Sequence, residues 1–162
     1  MAEDILFSKK DFIFSYRVGA VLYRDDKILL QRSLGEDGYA LPGGQVTFGE
    51  FSQKALAREL MDQTGAAIKV GRLCAVAEVF SQGQKPCQQI NLYYLATLKN
   101  SDALPQGLFH AYDSLGRERQ DLEFSWHSLD ELDRLKIHPH CIKPYLKEMP
   151  DSVVHLQQNM EE

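Results

Sequence analysis

Two apolar runs near the N-terminus, separated by a polar turn, predict a β-hairpin. Residues 17–23 (RVGAVLY) form the first run and residues 27–31 (KILLQ) form the second. The turn between them, residues 24–26 (RDD), carries polar side chains that favour a chain reversal. Residues 39–41 predict one more short strand, which residues 42–44 (PGG) end in a turn.

The strongest helix signal lies at residues 50–64. This segment contains no Gly or Pro and is rich in Ala, Leu, Glu, Lys, Arg and Gln, which favour a helix. Gly65 follows directly, in the position where glycine commonly ends a helix. The sequence therefore predicts a helix of about four turns that ends at Gly65.

The remainder of the chain predicts more strands and two short helices. Apolar stretches indicate strands at residues 67–79, 89–98 and 122–126, and the polar segment 101–121 indicates a long irregular loop. Short helices are expected at residues 129–135, after capping-box residues Ser128 and Glu131, and at residues 140–149, where Pro144 produces a kink. Strands on both sides of one helix favour a mixed α/β or α+β layered domain. Since no segment is typical of a linker, we expect one domain over residues 1–162.

Composition and charge narrow the classes of partner. The 162 residues are 44% hydrophobic and 25% charged, with a formal net charge of −5. The acid excess argues against nucleic acid and anionic membranes, because both need a basic face, and a small anionic substrate needs a cation between it and the protein. No segment has the pattern of a signal peptide or the ~20 apolar residues of a membrane span. With three cysteines and no CxxC spacing, we expect a cytoplasmic protein with reduced thiols.

Three polar side chains of the predicted helix point in one direction. At about 100° per residue, Asp62 and Gln63 lie within roughly 60° of Glu59. Small and apolar residues share this sector, so carboxylates on it are costly unless a cation or a hydrogen-bond donor meets them. Spacing alone leaves two interpretations open: a site for a hard divalent cation, or a solvated face with i,i+4 pairs such as Arg58–Asp62.

The same segment resembles the signature of the Nudix hydrolase family, G-x5-E-x7-R-E-U-x-E-E-x-G-U, where U is apolar. The matching positions are Gly44, Glu50, Arg58, Glu59, Leu60 and Gly65, preceded by the LPGG that commonly leads into the signature. The resemblance covers roughly residues 16–146. It implies an α+β fold, an α/β/α sandwich in which helices flank a mixed β-sheet, with tails at both ends.

The signature departs from the family pattern at Asp62 and Gln63, where the family has two glutamates. The second of those glutamates is a principal metal ligand in the family, and Gln63 offers an oxygen without the charge. The resemblance therefore implies a metal site that is weakened, or one that uses Glu59, Asp62 and an acid outside the signature. The candidate acids are Glu78, Glu118 and Glu123.

The resemblance implies a hydrolase that cleaves the pyrophosphate of a nucleoside diphosphate derivative, such as ADP-ribose, a nucleotide sugar or a nucleoside triphosphate. Its implied cofactor is Mg²⁺ or Mn²⁺. Carried over by position, the catalytic residues are Glu50, Arg58 and Glu59, and the metal ligands are Gly44 (through its carbonyl), Glu59, Asp62 and Gln63. Glu59 is implied as a metal ligand or the general base, and Glu50 and Arg58 as a pair that holds the loop against the helix.

Candidate substrate-binding residues lie on the predicted strands. A phosphate-rich substrate needs cationic contacts, and Arg17 and Arg32 lie in the hairpin, where exposed strand arginines are the alternative interpretation. Asn91 lies on a central strand, and Glu78 interrupts an apolar one. The alternative function is a weakened Nudix domain that binds or senses a nucleotide without cleaving it. A homodimer also fits the resemblance.

Overall fold

The long strands of the predicted hairpin organise a mixed β-sheet in the computed structural model, which describes residues 3–113 and 115–160. The strands, in chain order, are β1 (Leu6–Ser8), β2 (Ile13–Arg24), β3 (Lys27–Ser33), β4 (Tyr39–Ala40), β5 (Gly43–Gln45), β6 (Ile68–Gln82), β7 (Pro86–Leu98), β8 (Phe109–Tyr112), β9 (Glu118–Ser128), β10 (Ile137–His138) and β11 (Val154–Gln158). One α-helix, α1 (Ser52–Thr64), and two 3₁₀ helices, Leu129–Arg134 and His140–Tyr145, accompany them.

The strands run in the order β10-β4-β3-β2-β7-β6-β11, with β1 and β5 also paired to β2 and with β9 joining β3 to β8. Strands β2 and β7 are parallel, β6 and β7 are antiparallel, and β11 lies parallel to β6. The expected mixed sheet is therefore confirmed. The β2–β3 hairpin is confirmed as well, with Tyr23 opposite Ile28 across the turn.

Two apolar clusters lie on opposite faces of the sheet because side chains alternate along β2. Ala20 and Leu22 face α1 and pack with Leu56 and Leu60 of that helix. Val21 lies in the other cluster, with Leu132, Ile142 and Leu146 from the two 3₁₀ helices and the residue after them. The helices cover both faces of the sheet, as the α/β/α prediction requires.

Several boundaries differ from the sequence-based expectations. Helix α1 begins at Ser52 instead of residue 50, because Phe51 is extended and the Glu50 side chain bonds to Arg58 and Thr47. The segment 101–121 contains β8 and the start of β9, so only part of it is loop. The last helix is a single 3₁₀ segment, and strands β1 and β11 were not predicted.

The glycine pair Gly43-Gly44 forms a strand, and the prediction of a turn there was wrong. Gly43 lies opposite Gly19, and Gly44 lies opposite Val18, in antiparallel pairing with β2. A Cβ atom on Gly43 would lie 1.9 Å from the Val18 carbonyl oxygen. Glycine is therefore required here for close backbone approach, and β5 is held tightly against the centre of the sheet.

All three cysteines lie in the described part of the chain, and none of them forms a disulfide. Among the described residues, no helix combines the length and hydropathy needed to cross a membrane.

Gly43→Ala is expected to destabilise the protein by about 3 kcal/mol, the upper end for overpacking, because the clash is with backbone and not with a movable side chain. The measurement is the free energy of unfolding in urea. Gly107→Ala is the matched control, because no atom lies within 4 Å of its added Cβ. Equal stability of the two variants would contradict the close approach of β5 to β2.

Candidate active site

Helix α1 holds the Glu59 carboxylate against the glycine strand β5. The Glu59 side chain is only 17% exposed. A Cβ on Gly44 would lie 2.5 Å from Glu59 Oε2, so the absent side chain of Gly44 makes the room that this carboxylate occupies. Gly44, the first glycine of the signature, thus has a steric role that the sequence pattern did not show.

Gln63 lies one helical turn beyond Glu59 and bridges the same carboxylate to the strand. Its Nε2 donates to Glu59 Oε2 at 3.0 Å and to the Gly43 carbonyl oxygen at 3.3 Å. Its Oε1 is buried and has no hydrogen-bond partner. The glycine carbonyl that faces this cluster is therefore that of Gly43, one residue before the predicted Gly44.

Arg58 joins Glu50 and Glu59, two glutamates of the signature, into one network. Its Nη2 donates to Glu50 Oε1 at 2.6 Å and its Nη1 donates to Glu59 Oε1 at 2.9 Å. Nη2 also donates to the Gln45 carbonyl at the end of β5. The guanidinium thus contacts the loop before the helix, the helix and the glycine strand, and these contacts include the one with Glu50 that was expected of this pair.

The two glutamates of this network have opposite pKa shifts. The hydrogen bonds from Arg58 lower the pKa of Glu50 from its usual 4.5 to about 2. Burial raises the pKa of Glu59, opposed by Arg58 and increased further by the charges of Asp4 and Asp62. Asp4, near the N-terminus, is therefore an acid outside the signature whose charge reaches the site.

Asp62 does not converge with Glu59. Its side chain is 66% exposed, and its Oδ2 lies 3.9 Å from Arg58 Nη1. Among the described residues, no group of three or more His, Cys, Asp or Glu side chains is arranged to hold a metal ion. The carboxylate of Glu59, the amide of Gln63 and the carbonyl of Gly43 are instead the groups that meet.

A cavity of about 830 Å³ opens beside these side chains. Glu59, Asp62 and Gln63 line it together with Asp113 and Arg119, which the sequence analysis did not single out. The hydrogen bonds from Arg119 to Asp121 raise the pKa of Arg119, and the Glu59 charge adds to that shift. No sequence signal pointed to Arg119 because its segment, in the middle of a polar stretch, resembled an ordinary loop.

A second cavity, of about 530 Å³, is lined by three of the predicted substrate-binding residues, Arg17, Arg32 and Asn91. Arg17 lies directly opposite Asn91 across the β2–β7 pair. Arg32 donates to Glu123 Oε1 at 2.6 Å and stacks over the Tyr39 ring at 4.8 Å. Val18 and Gly19, which line this cavity, pair with Gly44 and Gly43 of the glycine strand.

The three candidate acids outside the signature each contact a different partner, and for two of them that partner is a histidine. Glu78 pairs with His155 at 2.7 Å, Glu118 pairs with His110 at 3.1 Å, and Glu123 pairs with Arg32. Glu78 is next to Ala77, which lies opposite Asn91, so strand alternation directs Glu78 to the other face of the sheet. None of the three lines the cavity that contains Glu59.

A family model described as NUDIX domain matches residues 14–149. The chain belongs to the Nudix family. That match includes all the signature residues described above and most of the sheet, so the Nudix relationship rests on the whole domain and not only on the signature.

Solved structures with similar folds include Nudix proteins of several named activities. A UDP-X diphosphatase is 26% identical to this chain and has a TM-score of 0.52. The match covers 72% of this chain and 51% of that protein, so this chain spans about half of its length. The MutT protein from Bacillus halodurans has a TM-score of 0.65 at 16% identity, covering 90% of each chain. An ADP-ribose pyrophosphatase from Streptococcus suis has a TM-score of 0.57 at 16% identity, covering 90% of this chain and 98% of that one.

Glu50→Gln is expected to lower the free energy of unfolding at neutral pH by about 2 kcal/mol, the usual size of a hydrogen bond to a charged group. The lowered pKa of Glu50 stabilises the protein above pH 4.5, and this contribution is lost as the pH falls towards about 2. The variant should therefore lose less stability than the wild type over that interval.

The measurement is urea unfolding at a series of pH values, with the exposed Glu148→Gln as the matched control. Parallel stability curves for Glu50→Gln and the wild type would rule out the Arg58 pair as the source of this acid sensitivity.

Proposed function

We propose that this protein is a Nudix pyrophosphohydrolase that cleaves a nucleoside diphosphate derivative in a reaction that depends on Mg²⁺ or Mn²⁺. The observation that carries the proposal is the Glu59 carboxylate, held by Arg58 and the glycine strand at the wall of an open cavity. A largely buried, oriented carboxylate beside an open cavity is suited to take a proton or bind a cation, whereas a structural salt bridge needs no such opening.

The residues at the site provide oxygen donors of the type that Mg²⁺ and Mn²⁺ accept. Glu59 and Gln63 would hold the ion together with the Gly43 carbonyl, which takes the place expected for that of Gly44. The predicted ligand Asp62 lies exposed on the wall of the same cavity, where its charge would attract the ion without joining this donor set. The ion, when bound, neutralises the charge that develops on the diphosphate and polarises the bridging oxygen. The Gln63 amide presents nitrogen to the other oxygens, so the donor set fits only after its amide turns.

In the proposed reaction the protein orients groups and moves one proton. Arg58 bonds to Glu59 Oε1, and Glu59 Oε2 accepts from the Gln63 amide. Once that amide turns, Oε2 would bind the ion or take the proton of the attacking water. Burial, which raises the pKa of Glu59, makes this carboxylate a better proton acceptor. Arg119 lies in the same cavity and supplies positive charge near the carboxylates.

We propose that Arg17, Arg32 and Asn91 bind the substrate in the other cavity, as the sequence suggested. Arg32 already has a carboxylate partner in Glu123, so Arg17 is the stronger candidate for a phosphate contact. The substrate classes we favour are ADP-ribose, nucleotide sugars and nucleoside triphosphates. The similar proteins named as a UDP-X diphosphatase and an ADP-ribose pyrophosphatase support the diphosphate class.

Glu59→Gln should lower kcat by about 10²- to 10⁴-fold, the range for loss of a general base. The test is a phosphate-release screen over nucleoside diphosphate derivatives with Mg²⁺ or Mn²⁺. Glu148→Gln, an exposed acid outside both cavities, is the control and should retain wild-type rates. Retention of full activity by Glu59→Gln would contradict the proposed role.

Arg17→Met should raise KM by about tenfold or more with little change in kcat, since it removes a charged contact made equally in the ground and transition states. Steady-state kinetics on the best substrate of the screen measure both constants. Arg134→Met is the control, since this exposed arginine lies outside both cavities. An unchanged KM for Arg17→Met would show that Arg17 does not contact the phosphates of the substrate.

The second candidate function is nucleotide binding without cleavage. It is favoured by the Gln63 amide, which bonds to two of the oxygens that a metal ion needs. A wild-type protein that binds nucleotide but releases no phosphate, together with activity in Gln63→Glu, would support the binding function over the enzyme.

A further inference from the structure

The Gln63 carboxamide is satisfied at one end and unsatisfied at the other. Its Nε2 makes two hydrogen bonds, to Glu59 Oε2 at 3.0 Å and to the Gly43 carbonyl oxygen at 3.3 Å. Its Oε1 is buried without a partner, although the oxygen of an amide is a strong acceptor. The hydrogen bonds of Nε2 therefore position this side chain, and Oε1 makes no hydrogen bond with the protein around it.

The distances around Nε2 match those between neighbouring oxygens on a divalent ion. Two adjacent oxygens of an octahedral Mg²⁺ site lie about 2.9 Å apart, because each is about 2.0–2.1 Å from the ion at a right angle. An oxygen placed where Nε2 now lies would be 3.0 Å and 3.3 Å from Glu59 Oε2 and the Gly43 oxygen. An oxygen at that distance from two others is repelled by both unless a cation lies among them.

Rotation of the carboxamide by 180° exchanges its nitrogen and oxygen without moving the rest of the side chain. The exchange breaks the two hydrogen bonds of Nε2 and no bond of Oε1, since Oε1 has none. A bound cation would replace the two lost bonds with three oxygen contacts. Without the cation, the amide nitrogen is the better occupant of that position.

We propose that Gln63 is a two-position latch on the metal site of this protein. In the metal-free protein its NH₂ group holds Glu59 and Gly43 together, and binding of Mg²⁺ or Mn²⁺ turns the amide so that Oε1 becomes a ligand. A glutamate at this position has no donor with which to hold the metal-free arrangement at neutral pH. The inference rests on the metal dependence proposed above, and its test requires no substrate.

The latch predicts how stability depends on metal. In EDTA, Gln63→Glu should have a lower Tm than the wild type, because its carboxylate faces that of Glu59. Excess Mg²⁺ or Mn²⁺ should raise the Tm of Gln63→Glu more than that of the wild type. Gln63→Met, of similar size but without donor or oxygen, should lose Tm in EDTA and gain less than the wild type from metal.

Differential scanning fluorimetry measures these Tm values, and Mn²⁺ titration by EPR measures the affinity, which we expect to be at least tenfold tighter in Gln63→Glu. Gln53→Glu is the matched control, because Gln53 lies exposed on the same helix and far from the Glu59 side of it. It should show wild-type Mn²⁺ affinity and wild-type metal dependence of Tm. A Gln63→Glu variant that matches this control would overturn the latch.

NMR of the side-chain amide distinguishes the latch from the proposed catalysis. In the metal-free protein the Gln63 NH₂ protons should exchange slowly with water, and saturating Mg²⁺ should shift their resonances because they leave Glu59 and Gly43. Unchanged Gln63 resonances at saturating Mg²⁺, or no Mn²⁺ binding by the wild type, would overturn the latch. Phosphate release with unchanged Gln63 resonances would support the enzyme proposal and overturn the latch. A metal-dependent shift without phosphate release would support the latch and contradict the enzyme proposal.

Discussion

The close approach of strand β5 to both β2 and helix α1 is the constraint on which the candidate site depends. Gly43 contacts the β2 backbone too closely for any side chain, and Gly44 leaves the space that the Glu59 carboxylate fills. The two glycines therefore bring the sheet, the strand and the helix to one point. A carboxylate placed there by a helix that packs through Leu56 and Leu60 has little freedom to move.

The positive charge of Arg58 offsets the cost of holding the Glu59 carboxylate at this largely buried position. A buried carboxylate such as Glu59 is costly in isolation, and the guanidinium compensates it while also bonding to Glu50 and to the Gln45 carbonyl. The same arginine thus lowers the pKa of one glutamate, opposes the rise caused by burial in the other, and holds the loop between β5 and α1. The Gln63 amide completes the neutralisation on the remaining oxygen of Glu59.

Much of the fold was accessible from local patterns. The β2–β3 hairpin, helix α1 with its left-handed Gly65 cap, strands β6 and β7, and the Ser128–Glu131 capping box all follow from periodicity and cap chemistry. Strands β1 and β11, two of those that were missed, are short and gain their order from pairing with β2 and β6. The glycine strand was predicted as a turn because its extended shape comes from pairing with β2, and the local sequence does not show that pairing.

The family, the signature helix and the types of side chain at the candidate site could all be inferred from the sequence, because they depend on spacing along one helix and on the identity of a few residues. Which of these side chains meet depends on how separate elements pack. Asp62 turns outwards while Glu59 is buried, and the carbonyl at the site is that of Gly43. Arg119 and Asp4 come from distant segments. The physical reason is that helical spacing sets directions within one element, whereas burial, charge compensation and cavity walls arise only where separate elements pack together.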